Sequence, residues 1–267
     1  MVIISHHIVG RKMSLTESGR ADLQGRNEPA YRVVVRSIEA NIMSGAWAVG
    51  DRVPAETTLA ADFGVHRSTV REAIRVLEQN GLVRRHDGGK LLYVTAPRQA
   101  DISRKVTAAI VLHEISFFEL WESMRCLEPM LAECAAKRID EDTLEALRTN
   151  VETTKAALED KRSLVELDIE FHQIIARASR NRVLQLSREP MSQLFYPAFL
   201  SVFSRLNAGE RLLFAHEKIL EALVRRDVAE ARSWMDKHIV DFRRGYELAN
   251  LDIDAPVGRV ISAPAGP

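Results

Sequence analysis

The chain has 267 residues, enough for two modest domains, and its 37 Lys+Arg balance 37 Asp+Glu. No run reaches the ~18 apolar residues of a membrane span, and the N-terminus lacks the basic start and apolar core of a signal peptide, so a cytoplasmic protein with no membrane partner is expected. The two cysteines, Cys126 and Cys134, fall in one expected helix about 12 Å apart, too far to bridge, which fits a reducing compartment.

Residues 1–27 show no sustained periodicity and read as a flexible tail. From Ala30 to Ser44 the apolar residues Tyr31, Val34, Val35, Ile38 and Ile42 recur at helical spacing, and Gly45 stops the run. After the loop WAVGDRVP, Pro54 suits the first turn of a short second helix that ends near Phe63. Gly64 permits a tight turn into a third helix, which Gly81 ends. LVRRH and KLLYV then flank Asp87-Gly88-Gly89 and read as a β-hairpin. Residues 28–95 therefore form one domain with a helix-turn-helix near 57–76, and 96–100 (APRQA) form a linker.

Beyond the linker no strand signal appears. Helices are expected near 101–112, 116–138, 141–159, 164–178, 182–205, 209–226 and 228–248, with Pro190 and Pro197 kinking or breaking the fifth. Capping pairs mark several starts: Ser116–Glu119, Ser163–Glu166, Asn207–Glu210 and Asp227–Glu230. The all-helical domain runs 101–249, and 250–267 read as a second tail. The fold class is mainly α, a winged helix-turn-helix followed by a helical bundle.

The third helix carries Arg67, Arg71 and Arg75 on one flank, beside an apolar stripe of Val70, Ala73, Ile74 and Leu77. Such a flank is either a solvated face with Arg–Glu pairs or a surface for phosphates and base edges. Arginine's planar fork suits guanine or phosphate, and the short hydroxyls of Ser68 and Thr69 suit phosphate oxygens. His86 and Lys90, beside Gly88 and Gly89, suit the tip of a wing. Residues 1–100 hold 14 Lys+Arg against 10 Asp+Glu, which agrees with a nucleic-acid partner.

The run VGDRVPAETTLAADFGVHRSTVREAIRVLEQNGLVRRHDGGKLLYV resembles the DNA-binding domain of GntR-family bacterial transcription regulators. The match includes Pro54, Glu56, Leu59, Ala60, Gly64, Val65, Arg67, Thr69, Val70, Arg71, Ala73, Leu77, Gly81 and Leu82. The resemblance implies DNA contacts from Arg67 and Arg71, support from His66, Ser68 and Thr69, and a wing served by Gly89 and Lys90. Thr57 stands where the family usually has Arg or Lys, so one common contact is missing.

Farther on, LVELDIEFHQII places Asp168 and His172 on one side of a helix, facing inward with Leu164 and Ile175. His216 lies among Leu212, Leu213, Ile219, Leu220 and Leu223, and His238 among Ala231, Trp234, Met235 and Phe242. Two readings stand level on these residues. One is a set of hydrogen-bonded core histidines, the other a ligand set for a divalent transition metal such as zinc, nickel or manganese.

Residues 101–248 are similar to the all-helical FCD ligand-binding domain of the FadR subfamily. The motifs run from Arg125, Leu127 and Glu128 through Arg138, from Asp168 through Leu184, and from His216 through His238. The resemblance implies that Asp168, His172, His216 and His238 hold a metal, and that Arg125 forks the carboxylate of a small effector acid. It also implies a homodimer on a pseudo-palindromic double-stranded DNA operator, acting as a repressor of a catabolic operon. The competing class is a metalloenzyme with an appended DNA-binding domain; Glu170 and Glu217 are the carboxylates nearest the ligands, and neither follows a hydrolase motif.

Overall fold

The computed structural model describes residues 28–86, 89, 91–206 and 208–258. The expected tail at 1–27, the end of the second tail, the wing residues Gly88 and Lys90, and the capping residue Asn207 lie outside them. The chain divides into two compact units, Met1–Asp101 and Ile102–Pro267.

The first unit begins with α1 (Ala30–Met43), which buries Val34, Val35 and Ile38 on one stripe. Gly45 follows at φ 76°, a left-handed turn that glycine adopts without strain. Helix α2 (Glu56–Phe63) starts after Ala55, so Pro54 precedes the cap and does not occupy the first turn as expected. Gly64 closes α2 at φ 68°, and α3 (Arg67–Gln79) follows after a two-residue turn. The apolar stripe Val70, Ala73, Ile74 and Leu77 is fully buried against Ile38, Leu59 and Trp47. Strands β1 (Val83–Arg85) and β2 (Leu92–Val94) pair antiparallel with Val83 opposite Val94, forming the expected hairpin. The loop before α2 is pinned to it, since Gly50 N–H donates to the Val94 carbonyl and Val53 N–H to that of Leu92.

The second unit is built from α4 (Gln99–Leu112), α5 (Phe117–Arg138), α6 (Glu141–Ala156), α7 (Lys161–Ala178), α8 (Arg182–Arg205), α9 (Gly209–Val224) and α10 (Val228–Leu248). Helix α4 already starts at Gln99, inside the stretch expected as linker. Ser116 caps α5 in a reciprocal box: its hydroxyl accepts from Glu119 N–H, and Glu119 accepts from Ser116 N–H. The expected cap at Ser163 is wrong by one turn. Asp160 caps α7 instead, accepting from the N–H groups of Arg162 and Ser163.

Helix α8 runs continuously through Pro190 and Pro197, contrary to the expected break. Each internal proline costs about 3 kcal/mol. The helix also buries Leu194, Phe195, Phe199, Val202 and Phe203. At roughly 1.5–3 kcal/mol per buried side chain, that packing outweighs both prolines. The second tail also begins later than expected. Val257 is buried, and the segment after α10 bonds to the start of α5 through Phe117 N–H to Ala255, Phe118 N–H to Ile253 and Val257 N–H to Ile115.

Candidate functional site

In the first unit, α3 presents Arg67 and Arg71 outward, 58% and 56% exposed, while its opposite stripe is buried. Glu56, at the start of α2, accepts from Arg71 Nε at 2.9 Å and lies 3.8 Å from Arg67. A single carboxylate thus holds both guanidinium groups at the front of the helix. His66 supplies the backbone cap of α3, Ser68 is exposed and Thr69 half-buried. Arg75 continues the exposed flank. At the hairpin, Gly89 N–H donates to the His86 carbonyl at 2.7 Å, and the His86 ring meets Tyr93 edge-on. These exposed basic groups share the helix-turn-helix and its hairpin.

In the second unit, α7, α9 and α10 bring four side chains to one buried point. Asp168 Oδ1 lies 3.2 Å from His216 Nε2, 3.5 Å from His238 Nε2 and 3.9 Å from His172 Nε2. His172 Nε2 and His238 Nε2 are 3.1 Å apart. All four side chains are nearly inaccessible, and their ligand atoms lie within 4.8 Å of one another.

Two observations test whether this set fits a metal. Ligand atoms about 2.1 Å from one tetrahedral ion stand roughly 3.4 Å apart, and these separations bracket that value. Asp168 Oδ1 and His216 Nε2, 3.2 Å apart, are fully buried without a well-formed hydrogen bond, so they approach a common point without pairing with each other. Burying such groups unpaired is costly, and a cation at their centre removes the cost. Burial pushes His216 down to about 4 against the pull of Asp168, so its imidazole is neutral and able to ligate at pH 7. The stacked Phe171 ring, 3.7 Å from that of His216, fixes its plane. The donor set of one carboxylate and three imidazoles suits zinc, nickel or manganese.

Arg125 does not join this cluster. It is 48% exposed, bonded to Asp236 at 3.1 Å, and stacked over Trp121 on an open groove between α5 and α10. Helix phase sets this placement: its neighbour Met124 faces the cluster, and one residue further turns about 100° away. The guanidinium that does reach the cluster belongs to Arg188 of α8, 3% exposed, which donates to Glu128 Oε1 at 2.5 Å. The other Glu128 oxygen meets His172 Nδ1 at 3.0 Å, which favours the proton on that nitrogen and leaves Nε2 aimed at Asp168. Burial alone would push the Glu128 carboxyl up, but Arg188 and His172 together outweigh it and hold it at about 2.

Comparison with known proteins decides the class. Residues 30–90 match the bacterial regulatory proteins of the gntR family, and residues 119–241 match the FCD domain. The chain belongs to the GntR family. It is similar to the Uxu operon transcriptional regulator of Escherichia coli (strain K12), 29% identical over 232 residues, 83% of this chain and 89% of that one. The HTH-type transcriptional regulator LutR of Bacillus subtilis is 28% identical over 218 residues, 79% and 99% of the two chains. Among solved structures, Streptococcus agalactiae GntR is 25% identical, covers 80% of this chain and 99% of its own, and superposes with a TM-score of 0.55. This GntR-family chain, with its FCD domain, is accordingly a transcription regulator and not an enzyme, which removes the metalloenzyme reading. Among the described residues, no helix is long and apolar enough to cross a membrane.

Proposed function

We propose that this regulator binds a pseudo-palindromic operator as a homodimer, represses a catabolic operon, and is released or retained by a small carboxylic acid sensed in its FCD domain. Asp168, His172, His216 and His238 hold a divalent transition metal, which when bound supplies open coordination positions for carboxylate oxygens. Arg67 and Arg71 read base edges or phosphates from the front of α3, with His66, Ser68 and Thr69 against the backbone and His86, Gly89 and Lys90 at the wing. The observation that carries the sensing half is the buried meeting of the four side chains with their unpaired oxygen and nitrogen atoms. Relatives named as operon regulators support the regulatory half.

The effector acts only through the difference in its affinity for two arrangements of the dimer, so its site must change with DNA affinity. The test has two parts on the full-length protein: selection of bound DNA from a random pool, and elemental analysis. A two-fold repeat and about one zinc, nickel or manganese per chain support the reading. An asymmetric or undefined site removes the dimeric operator, and metal-free protein that takes up none of the three ions removes the metal centre.

A further inference from the structure

The Arg188–Glu128 pair is a buried charge pair beside the four-ligand set, and of its two members only Glu128 touches a ligand. Both side chains are almost fully enclosed, and they line one cavity with Asp168, His172, Ser192 and Phe195. Holding two charges out of water costs several kcal/mol per ion, so such a pair persists where its charges have a use or where partners satisfy them fully. Glu128 is satisfied, with one oxygen on Arg188 and one on His172. Arg188 donates to Glu128 through Nε, the inner edge of the fork, while its side chain borders the cavity.

The charge balance of the cavity points to an anion. Asp168 and Glu128 are carboxylates and Arg188 is a guanidinium, while metal-bound imidazoles are neutral. With a divalent ion, one positive charge is left uncompensated in a site closed to water. One carboxylate would neutralise it. The cavity itself measures only about 20 Å³, room for roughly one water, so an organic acid enters only if a wall moves, and α8 supplies one wall through Arg188, Ser192, Phe195 and Phe199. The apolar side of the cavity, Phe195, Phe199 and Ile239, suits a short carbon skeleton better than a second charge.

We propose that Arg188 is the anion-recognising, specificity-determining residue of this regulator: its guanidinium, held on Glu128 in the closed cavity, is handed over to the carboxylate of an entering small acid. The proposal rests on the metal-centred sensing reading above and names the residue that reading lacks. The exchange replaces one charge-assisted pair by another, so it costs little while admitting a ligand. It also has a route outward. Pro190, two residues along α8, accepts a hydrogen bond at its carbonyl from the Thr107 hydroxyl of α4 at 3.1 Å, and α4 is the helix through which the chain passes from the DNA-binding domain. A shift of α8 that frees Arg188 therefore pulls on α4.

The test is calorimetric titration of the zinc-loaded full-length protein with acetate, glycolate and citrate, and with neutral glycolamide as the control. At least one carboxylate binds. Arg188→Met lowers its affinity about 10- to 100-fold, leaves glycolamide binding unchanged, and retains zinc. Glu128→Gln keeps an acceptor for His172 but releases Arg188, and raises carboxylate affinity. That opposite sign is a result a merely structural pair would not produce. Should Arg188→Met misfold through an unpaired Glu128, the double variant Arg188→Met with Glu128→Gln carries no buried charge from the pair and shows the same loss. Unchanged carboxylate affinity in the Arg188 variants, a loss in Glu128→Gln equal to theirs, or no carboxylate bound by wild type would overturn the proposal. Failure of the metal reading appears separately, as wild-type protein that takes up no zinc. The same Arg188 comparison on the metal-free protein then decides the role of Arg188.

Discussion

Arg71→Ala separates DNA contact from folding. The Arg71 side chain is 56% exposed and lies off the stripe of Val70, Ala73, Ile74 and Leu77 that anchors α3. Among the described residues its ion pair is with Glu56, and a pair this exposed contributes about 0–1 kcal/mol. Unfolding by urea should therefore change by less than about 1 kcal/mol. A lost bidentate base contact costs about 1–3 kcal/mol, or roughly 5- to 150-fold in affinity. The assay is fluorescence anisotropy against the DNA that the wild-type protein selects, at several salt concentrations, where a lost phosphate contact also flattens the salt slope. Ile74→Ala is the contrast, since Ile74 is 2% exposed and its truncation should cost about 2–5 kcal/mol of stability. Wild-type affinity in both Arg71→Ala and Arg67→Ala, or an Arg71→Ala loss of stability as large as that of Ile74→Ala, would refute the assignment of α3 as the DNA-reading helix.

Zinc at about 100 times its Kd should stabilise the wild-type protein by about 2.7 kcal/mol and leave Asp168→Ala unmoved; an equal thermal shift in both would place the ion elsewhere. Ser116→Ala removes one half of the capping box on α5 and should cost about 1 kcal/mol in urea titration, with no change in metal content. Arg125→Ala should leave carboxylate binding intact, because Arg125 lies on the outer groove with Asp236; a lost response would return it to the sensing site.

The elements were largely legible because periodicity and punctuation agree. Gly45, Gly64 and Gly81 sit at positive φ where the helical stripes end, and the stripe on α3 is buried as its spacing requires. The break expected at Pro190 and Pro197 does not occur because the five large side chains that α8 buries outweigh the local backbone cost of proline. The cap expected at Ser163 failed because Asp160, one turn earlier, offers a better acceptor at the same helix start. Among site residues, the three histidines were visible as polar groups on apolar stripes. The same signal marks Glu128, which shares a stripe with Met124, Leu131 and Ala132, and Arg188, which shares one with Leu184, Met191 and Phe195. Arg125, on the outer side of α5, is not on that stripe.

In the proposed function, the cluster of Asp168, His172, His216 and His238 governs DNA binding from inside the second unit. The most direct test is operator affinity of the zinc-loaded full-length protein, measured with and without the carboxylate that binds best. The expected change is about 5- to 150-fold, lost together in His216→Ala and Arg188→Met. Identical operator affinity with the cavity empty and with it saturated would contradict it.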